Sequence, residues 1–234
     1  MVRDFWIGKG CLITGGYGFG RSHSCEQLFE RGTRVYVLDR EATTNSYLAT
    51  TGLGPRIHYL YSDVGDLELV KISLEWFKIN TIFHLVAQPS VPINSTFRYE
   101  VFSINVMGTY SILEAMRNSS FTKNFVFASS GAFYGTITKH EPITEDHPSL
   151  VAANVYTPAT SASGIVVRYY AKTYGIKAAA RRFINTYGPG NTNLSTIVPA
   201  TVNIIIIGLP SNYLNICDMT TSYLAVVENT DSVR

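Results

Sequence analysis

The sequence predicts an α/β fold: a doubly wound parallel sheet followed by a small C-terminal lobe. Three observations carry this. Short apolar runs alternate with amphipathic stretches along most of the 234 residues, the pattern of βαβ units around a sheet buried on both faces. A glycine-rich turn, Gly15-Gly16-Tyr17-Gly18, separates the first apolar run from the first helical stretch. The alternation fades after Asn185, where Gly188-Pro189-Gly190-Asn191 interrupts it.

Taken in order, Cys11 to Thr14 reads as a buried first strand, and a helix runs from about Ser22 to Arg31, stopped by Gly32. Thr33 to Leu38 and Ile57 to Tyr61 are strands two and three, and Asp66 caps a helix reaching about Phe77. Thr81 to Leu85 and Asn124 to Ala128 are strands four and five. Between them, Phe97 to Arg117 has helical periodicity, with Val101, Ile104, Met107, Ile112, Leu113 and Met116 on one stripe. Tyr156 to Tyr174 is a second long helix and Lys177 to Phe183 a sixth strand. A further helix is expected over Ser195 to Ile207.

Composition narrows the class. Apolar residues make up 46% and charged residues 15%, with a net charge of +2. That is too apolar for a disordered chain and too neutral for a nucleic-acid or anionic-membrane binder. The most apolar run, Val202 to Gly208, is broken by Asn203 and falls far short of the ~20 residues of a membrane span. Met1 to Trp6 holds no long apolar stretch, so no secretory signal is read. Cys11, Cys25 and Cys217 are odd in number and lack a Cys-x-x-Cys pair. They read as reduced thiols of a cytoplasmic protein, and no metal site is expected.

The glycine turn carries the first functional signal. Leu12 to Ser22 follows a strand and opens a helix, the context in which glycines let a backbone approach a pyrophosphate at the helix N-terminus. Asp39 ends strand two, where a carboxylate accepts the adenosine ribose hydroxyls and repels a 2′-phosphate. NAD is therefore favoured, and Arg40 beside it leaves NADP open.

Thr14-Gly15-Gly16-Tyr17-Gly18-Phe19 resembles the opening of the extended short-chain dehydrogenases/reductases, the NAD-dependent nucleotide-sugar epimerases and dehydratases. The resemblance continues through Asp63-Val64, Phe83-His84-Leu85-Val86-Ala87-Gln88, Asn105-Val106-Met107-Gly108-Thr109 and Ala128-Ser129-Ser130-Gly131-Ala132-Phe133-Tyr134-Gly135. It reaches the loop Glu141 to Pro148 and Arg182-Phe183-Ile184-Asn185-Thr186-Tyr187-Gly188-Pro189-Gly190. It implies a Rossmann domain over residues 1–185 and a partial substrate-binding lobe over 186–234. The implied cofactor contacts are Gly15, Gly18, Phe19, Gly20, Asp39, Arg40, Asp63, Val64, Leu85, Ala87, Asn105 and Tyr156. The implied nucleotide-sugar contacts are Gln88, Ser130 and Asn185.

The resemblance further implies that a Tyr removes a sugar hydroxyl proton while hydride passes to the cofactor, with Ser130 bonding the reacting oxygen. Counting back from Arg168-Tyr169-Tyr170-Ala171-Lys172 places that base at Tyr156. A Tyr ionises ordinarily near pH 10, so such a base needs a cation one helical turn on. Thr160 stands there instead of the family's Lys, and Lys172 lies ~18 Å further along the helix. Thr160 can still bond a ribose hydroxyl, which keeps it in the catalytic set with Tyr156 and Ser130.

Four other departures stand out. Arg21 replaces the third fingerprint glycine; the favoured reading is crowding of the helix on the strand, relieved if Gly20 takes over, and the weaker reading is contact with a phosphate. Pro210 to Asp218 resembles a family substrate segment with Ser211 for its Arg and Cys217 for its Glu. The family's C-terminal lobe is expected to be largely missing. Gly131-Ala132 stand where dehydratases carry Asp-Glu, which favours an epimerase, whereas Phe5-Trp6-Ile7-Gly8-Lys9 resembles a cytidine-diphosphate-glucose dehydratase branch. The expected function is a nucleotide-sugar epimerase or 4,6-dehydratase, the alternative a non-catalytic or weakly active NAD-binding relative. A homodimer is expected through the two long helices, with Met107, Tyr110, Val166, Tyr169 and Tyr170 as its apolar stripe.

Overall fold

A computed structural model describes residues 5–42, 46–88, 98–135, 142–149, 154–184, 186–191, 198–199 and 202. Six parallel strands form one sheet in the order β3-β2-β1-β4-β5-β6. They are β1 (Gly10–Thr14), β2 (Arg34–Asp39), β3 (His58–Tyr61), β4 (Ile79–His84), β5 (Asn124–Ser130) and β6 (Lys177–Phe183). The order runs outward from β1 in one direction and from β4 in the other. A crevice therefore opens between them at the carboxyl ends, where such sheets bind ligands.

Helices cover both faces: α1 (Phe19–Glu30), α2 (Tyr47–Thr50), α3 (Leu67–Trp76), α4 (Arg98–Phe102), α5 (Gly108–Arg117) and α6 (Tyr156–Tyr174). The two-residue alternation of the strands divides the core. On one face Cys11, Ile13, Val35 and Val37 pack with Cys25 and Leu28 of α1 and Leu48 of α2. On the other Leu12, Tyr36, Leu38, Ile82, Phe125 and Phe127 pack with side chains of α3, α5 and α6. Each fully buried Leu or Ile contributes about 1.5–3 kcal/mol through burial.

Local chemistry sets the boundaries. Asp66 caps α3 as expected, accepting from Leu69 N at 3.1 Å. Asn154 accepts from Thr157 N at 2.9 Å at the start of α6, and Gly175 ends that helix with φ 70°, a left-handed turn open to glycine at little cost. The stretch read as one helix from Phe97 is α4 and α5 joined by a π turn over Ser103–Met107.

Two expectations are corrected. Tyr170 does not belong to an exposed stripe: it is buried, and its hydroxyl donates to Glu114 Oε2 at 2.8 Å. Gly20 does not take over close packing from Arg21, since a Cβ there would meet nothing within 4 Å. The close approach falls on Gly16, whose Cβ would lie 2.5 Å from Val37 Cγ1. The helix expected over Ser195 to Ile207 falls largely outside the described residues, as do Cys217 and the Pro210–Asp218 segment. Cys11 and Cys25 are buried free thiols, both pushed up to about 12 by burial. Among the described residues no helix is long and apolar enough to cross a membrane.

Candidate functional site

The sheet register levels the ends that build the site: Thr14 lies opposite Leu38 on one side and His84 on the other, and His84 opposite Phe127. Chain leaving these ends forms a cleft of about 130 Å³. Asp39, Arg40, Asp63, Val64, Ala87 and Gln88 of the expected site residues line it together. Arg21, Leu38, Ser62, Val86 and Ile104 line it too. Ser62 follows β3 directly, so its strand-end position could have flagged it. Nothing in the sequence announces which way Arg21 turns.

Each predicted side chain has a local reason for its place. Gly15 turns with φ +72°, which a side chain resists. Its amide bonds Leu38 O at 2.7 Å and stitches the turn to β2. Asp39 accepts from Tyr17 N at 3.3 Å and Arg40 N at 2.9 Å, so its carboxylate is fixed at the cleft rim. Asp63 accepts from Gly65 N at 2.7 Å in a tight turn, while buried Val64 packs where a Cβ on Gly108 would stand. Phe19 faces the other way, against His23 and Gly188. His23 Nε2 lies 2.9 Å from Pro189 O, so residues 186–191 pack on α1.

A continuous hydrogen-bond chain supports the cleft floor. Leu85 N and Val86 N each donate to Thr14 Oγ1 at 3.1 Å, and that hydroxyl lies 3.1 Å from His84 Nδ1. His84 Nε2 lies 3.0 Å from Thr109 Oγ1, which donates to Asn105 O. Thr109 has one hydrogen and gives it to that carbonyl, so it accepts from His84 Nε2–H, and Nδ1 accepts from Thr14. The neutral ring is the species this chain selects, and burial pulls the His84 pKa from 6.5 to about 3.

Asn105 sits in the π turn, a local irregularity that frees backbone groups for such contacts. Its Oδ1 accepts from Gln88 N at 2.8 Å, and its Nδ2 donates to Gln88 O at 3.3 Å. Its own carbonyl accepts from Ser163 Oγ of α6 at 2.8 Å. One residue thus ties the β4 exit to the two long helices.

The expected catalytic residues stand beyond this floor. Tyr156 opens α6, half-buried, and Thr160 one turn later is buried. Helix α6 packs on β5 and on the 3₁₀ turn Gly131–Tyr134. Ser130 ends β5, and its hydroxyl accepts from Ala132 N at 3.2 Å, which fixes it while the hydroxyl proton stays available. Arg182 fastens the neighbouring loop, donating to Tyr134 Oη at 2.8 Å and Glu145 O at 2.6 Å. Asn185, expected at the sugar site, lies outside the described residues.

The residues present suit a dinucleotide at the α1 end. Gly18 gives α1 no side-chain cap and its first turn has no acid, so its amides and positive dipole end are open to an anion. Asp39 stands beside them as an acceptor for hydroxyl donors.

Known proteins share this fold. A UDP-glucose 4-epimerase of Lactobacillus helveticus is 34% identical over 177 residues, covering 76% of this chain and 52% of that protein. A crystal structure of Thermus thermophilus UDP-glucose 4-epimerase in complex with NAD is 30% identical with TM-score 0.73, over 86% of this chain and 64% of that one. The dTDP-glucose 4,6-dehydratase DesIV of Streptomyces venezuelae, crystallised with NAD, is 27% identical with TM-score 0.73, over 85% and 62%. The chain spans about half the length of the curated relatives it matches. A family model for NAD-dependent epimerases/dehydratases matches residues 11–222, and the chain belongs to that family.

Proposed function

We propose that this chain carries out the NAD-dependent oxidation of a nucleotide-diphosphate sugar, as an epimerase or 4,6-dehydratase does. The observation that carries the reading is that Asp39 and Ser130 both stand at the carboxyl ends of strands in one parallel sheet. Asp39 lines the crevice with Arg21, whose side chain crosses the glycine turn, and α6, opening on Tyr156, packs against the strand that ends in Ser130. The relatives named above, UDP-glucose epimerases and a dTDP-glucose dehydratase, support the same substrate class.

NAD, when bound, supplies the hydride acceptor. The chain supplies the rest. Tyr156 Oη takes the proton of the sugar hydroxyl, and the Ser130 hydroxyl bonds the same oxygen and holds it in line. The Thr160 hydroxyl takes the ribose hydroxyl that a Lys would take in the family. Asp39 holds the adenosine ribose. Gln88, Ser130 and Asn185 are the proposed sugar contacts, and residues 186–234 contribute to substrate binding. Gly131-Ala132 after Ser130 favour epimerisation over dehydration. Two copies pair through the long helices, where Met107, Tyr110 and Tyr169 are exposed.

A second reading has its own observation. Thr160 is uncharged and buried one turn from Tyr156, which suits a chain that holds NAD without fast turnover. Incubation with NAD and either UDP-glucose or dTDP-glucose separates the two. A new sugar, or transient absorbance of reduced cofactor, supports the enzyme. Thermal stabilisation by NAD with no product supports the binder, and neither response contradicts both.

A further inference from the structure

Arg21 occupies the third glycine position of the fingerprint, and its side chain turns back across the loop. A Cβ built on Gly15 would collide with Arg21 Nη1, and one on Gly18 with Arg21 Nε. The same side chain lines the cleft with Asp39 and Gln88. It donates no hydrogen bond and forms no ion pair with any described residue. The loop it crosses ends at the start of α1, where the first intrahelical bond is Ser22 N to Gly18 O. The amides of Phe19, Gly20 and Arg21 therefore precede any intrahelical partner.

A half-buried, unpaired guanidinium beside the positive end of a helix dipole is an arrangement that a bound anion stabilises from both sides. Burial lowers the Arg21 pKa, opposed by the fields of Asp39 and Tyr156, which places the guanidinium within electrostatic reach of both ends of the site.

We infer that Arg21 is a phosphate ligand of this cofactor site, its guanidinium gripping the dinucleotide pyrophosphate at the glycine turn. The inference rests on the NAD reading above and adds a side-chain cation to a contact that glycine at this position leaves to the backbone. It also revises the crowding expected of Arg21: the side chain is drawn into the cleft instead of wedging α1 from β1. The pyrophosphate is favoured over a 2′-phosphate because Arg21 lies over Gly15 and Gly18 and makes no ion pair with Asp39, which marks the ribose end.

Calorimetric titration of the full chain with NAD, ADP-ribose and adenosine 2′,5′-bisphosphate tests it, using Arg21→Gln, Arg21→Gly and Arg21→Lys beside the unmodified protein. Loss of one charge-assisted grip weakens NAD and ADP-ribose by about 10- to 100-fold in the Gln and Gly variants. Arg21→Lys keeps most of the affinity, and added salt weakens ADP-ribose binding to the unmodified chain more than to Arg21→Gly. Equal or tighter ADP-ribose binding by Arg21→Gly overturns the inference and makes Arg21 an obstruction. A loss confined to the 2′,5′-bisphosphate overturns the pyrophosphate assignment. If the unmodified chain binds neither NAD nor ADP-ribose, the cofactor reading itself fails. If the Gln and Gly variants do not fold, a salt-independent ADP-ribose affinity of the unmodified chain overturns the inference.

Discussion

His84 makes the fold sensitive to mild acid. The ring is fully buried between Thr14 and Thr109 and stacks near Phe125 and Phe127 at centroid distances of 5.8 and 6.1 Å. Protonating Nδ1 would set a new N–H against a Thr14 hydroxyl whose oxygen already accepts from Leu85 N and Val86 N. Burial holds the folded-state pKa near 3, against 6.5 for an exposed ring. The sign follows directly. Below pH 6.5 the unfolded chain takes up a proton that the folded chain refuses, so stability is full above that pH and falls as pH drops toward 3. The whole effect amounts to ~5 kcal/mol, of which about 2 kcal/mol is lost between pH 7 and pH 5. His84→Gln keeps a donor and an acceptor but cannot titrate. Urea unfolding of both proteins at pH 7, 6 and 5 reads the difference, because every other group titrates alike in the two. The stability advantage of the unmodified chain over the variant should shrink by about 2 kcal/mol over that range. Parallel stability curves would refute the burial argument.

Other consequences follow from single contacts. Asp39→Ala should narrow the preference for NAD over NADP by about tenfold, read by titrating both dinucleotides, because a carboxylate opposes a 2′-phosphate. Equal affinities in the unmodified protein would contradict the assignment. Gly16→Ala should lower stability by about 1–3 kcal/mol, since the new methyl meets Val37 at 2.5 Å. Gly20→Ala, with nothing within 4 Å, should be neutral or gain up to about 1 kcal/mol in a helix. A reversal of that order in denaturant midpoints would show that the turn packs differently.

The centre of the sheet was legible because β1, β2 and β4 are short apolar runs largely buried on both faces, and α6 and β6 fall at the residues the pattern predicts. The floor of the site was less legible. Thr14, His84 and Thr109 are far apart in sequence, and only the β1–β4 pairing and the crossing of α5 bring them into one hydrogen-bond chain. The π turn at Ser103–Met107 leaves no trace in a hydrophobic stripe, because an extra residue in one turn hardly disturbs it. Tyr170 reads as part of an apolar pairing stripe beside Tyr169, yet it is buried in the α5–α6 contact, where Glu114 satisfies its hydroxyl. Arg21 shows the limit of a motif: the fingerprint flags a missing glycine, but only packing shows that the substituted side chain lies in the cleft.

Turnover of UDP-glucose with saturating NAD at pH 7 tests the central claim, that Tyr156 is the base of an NAD site lacking the lysine one helical turn on. The unmodified chain should be slow. Thr160→Lys, which places an ammonium one turn from Tyr156, should be faster by about 10- to 100-fold, the range that a shift of one to two pH units in a phenol's ionisation allows. Tyr156→Phe in that background should abolish the gain. Fast turnover by the unmodified chain, or a gain that survives Tyr156→Phe, would contradict the account.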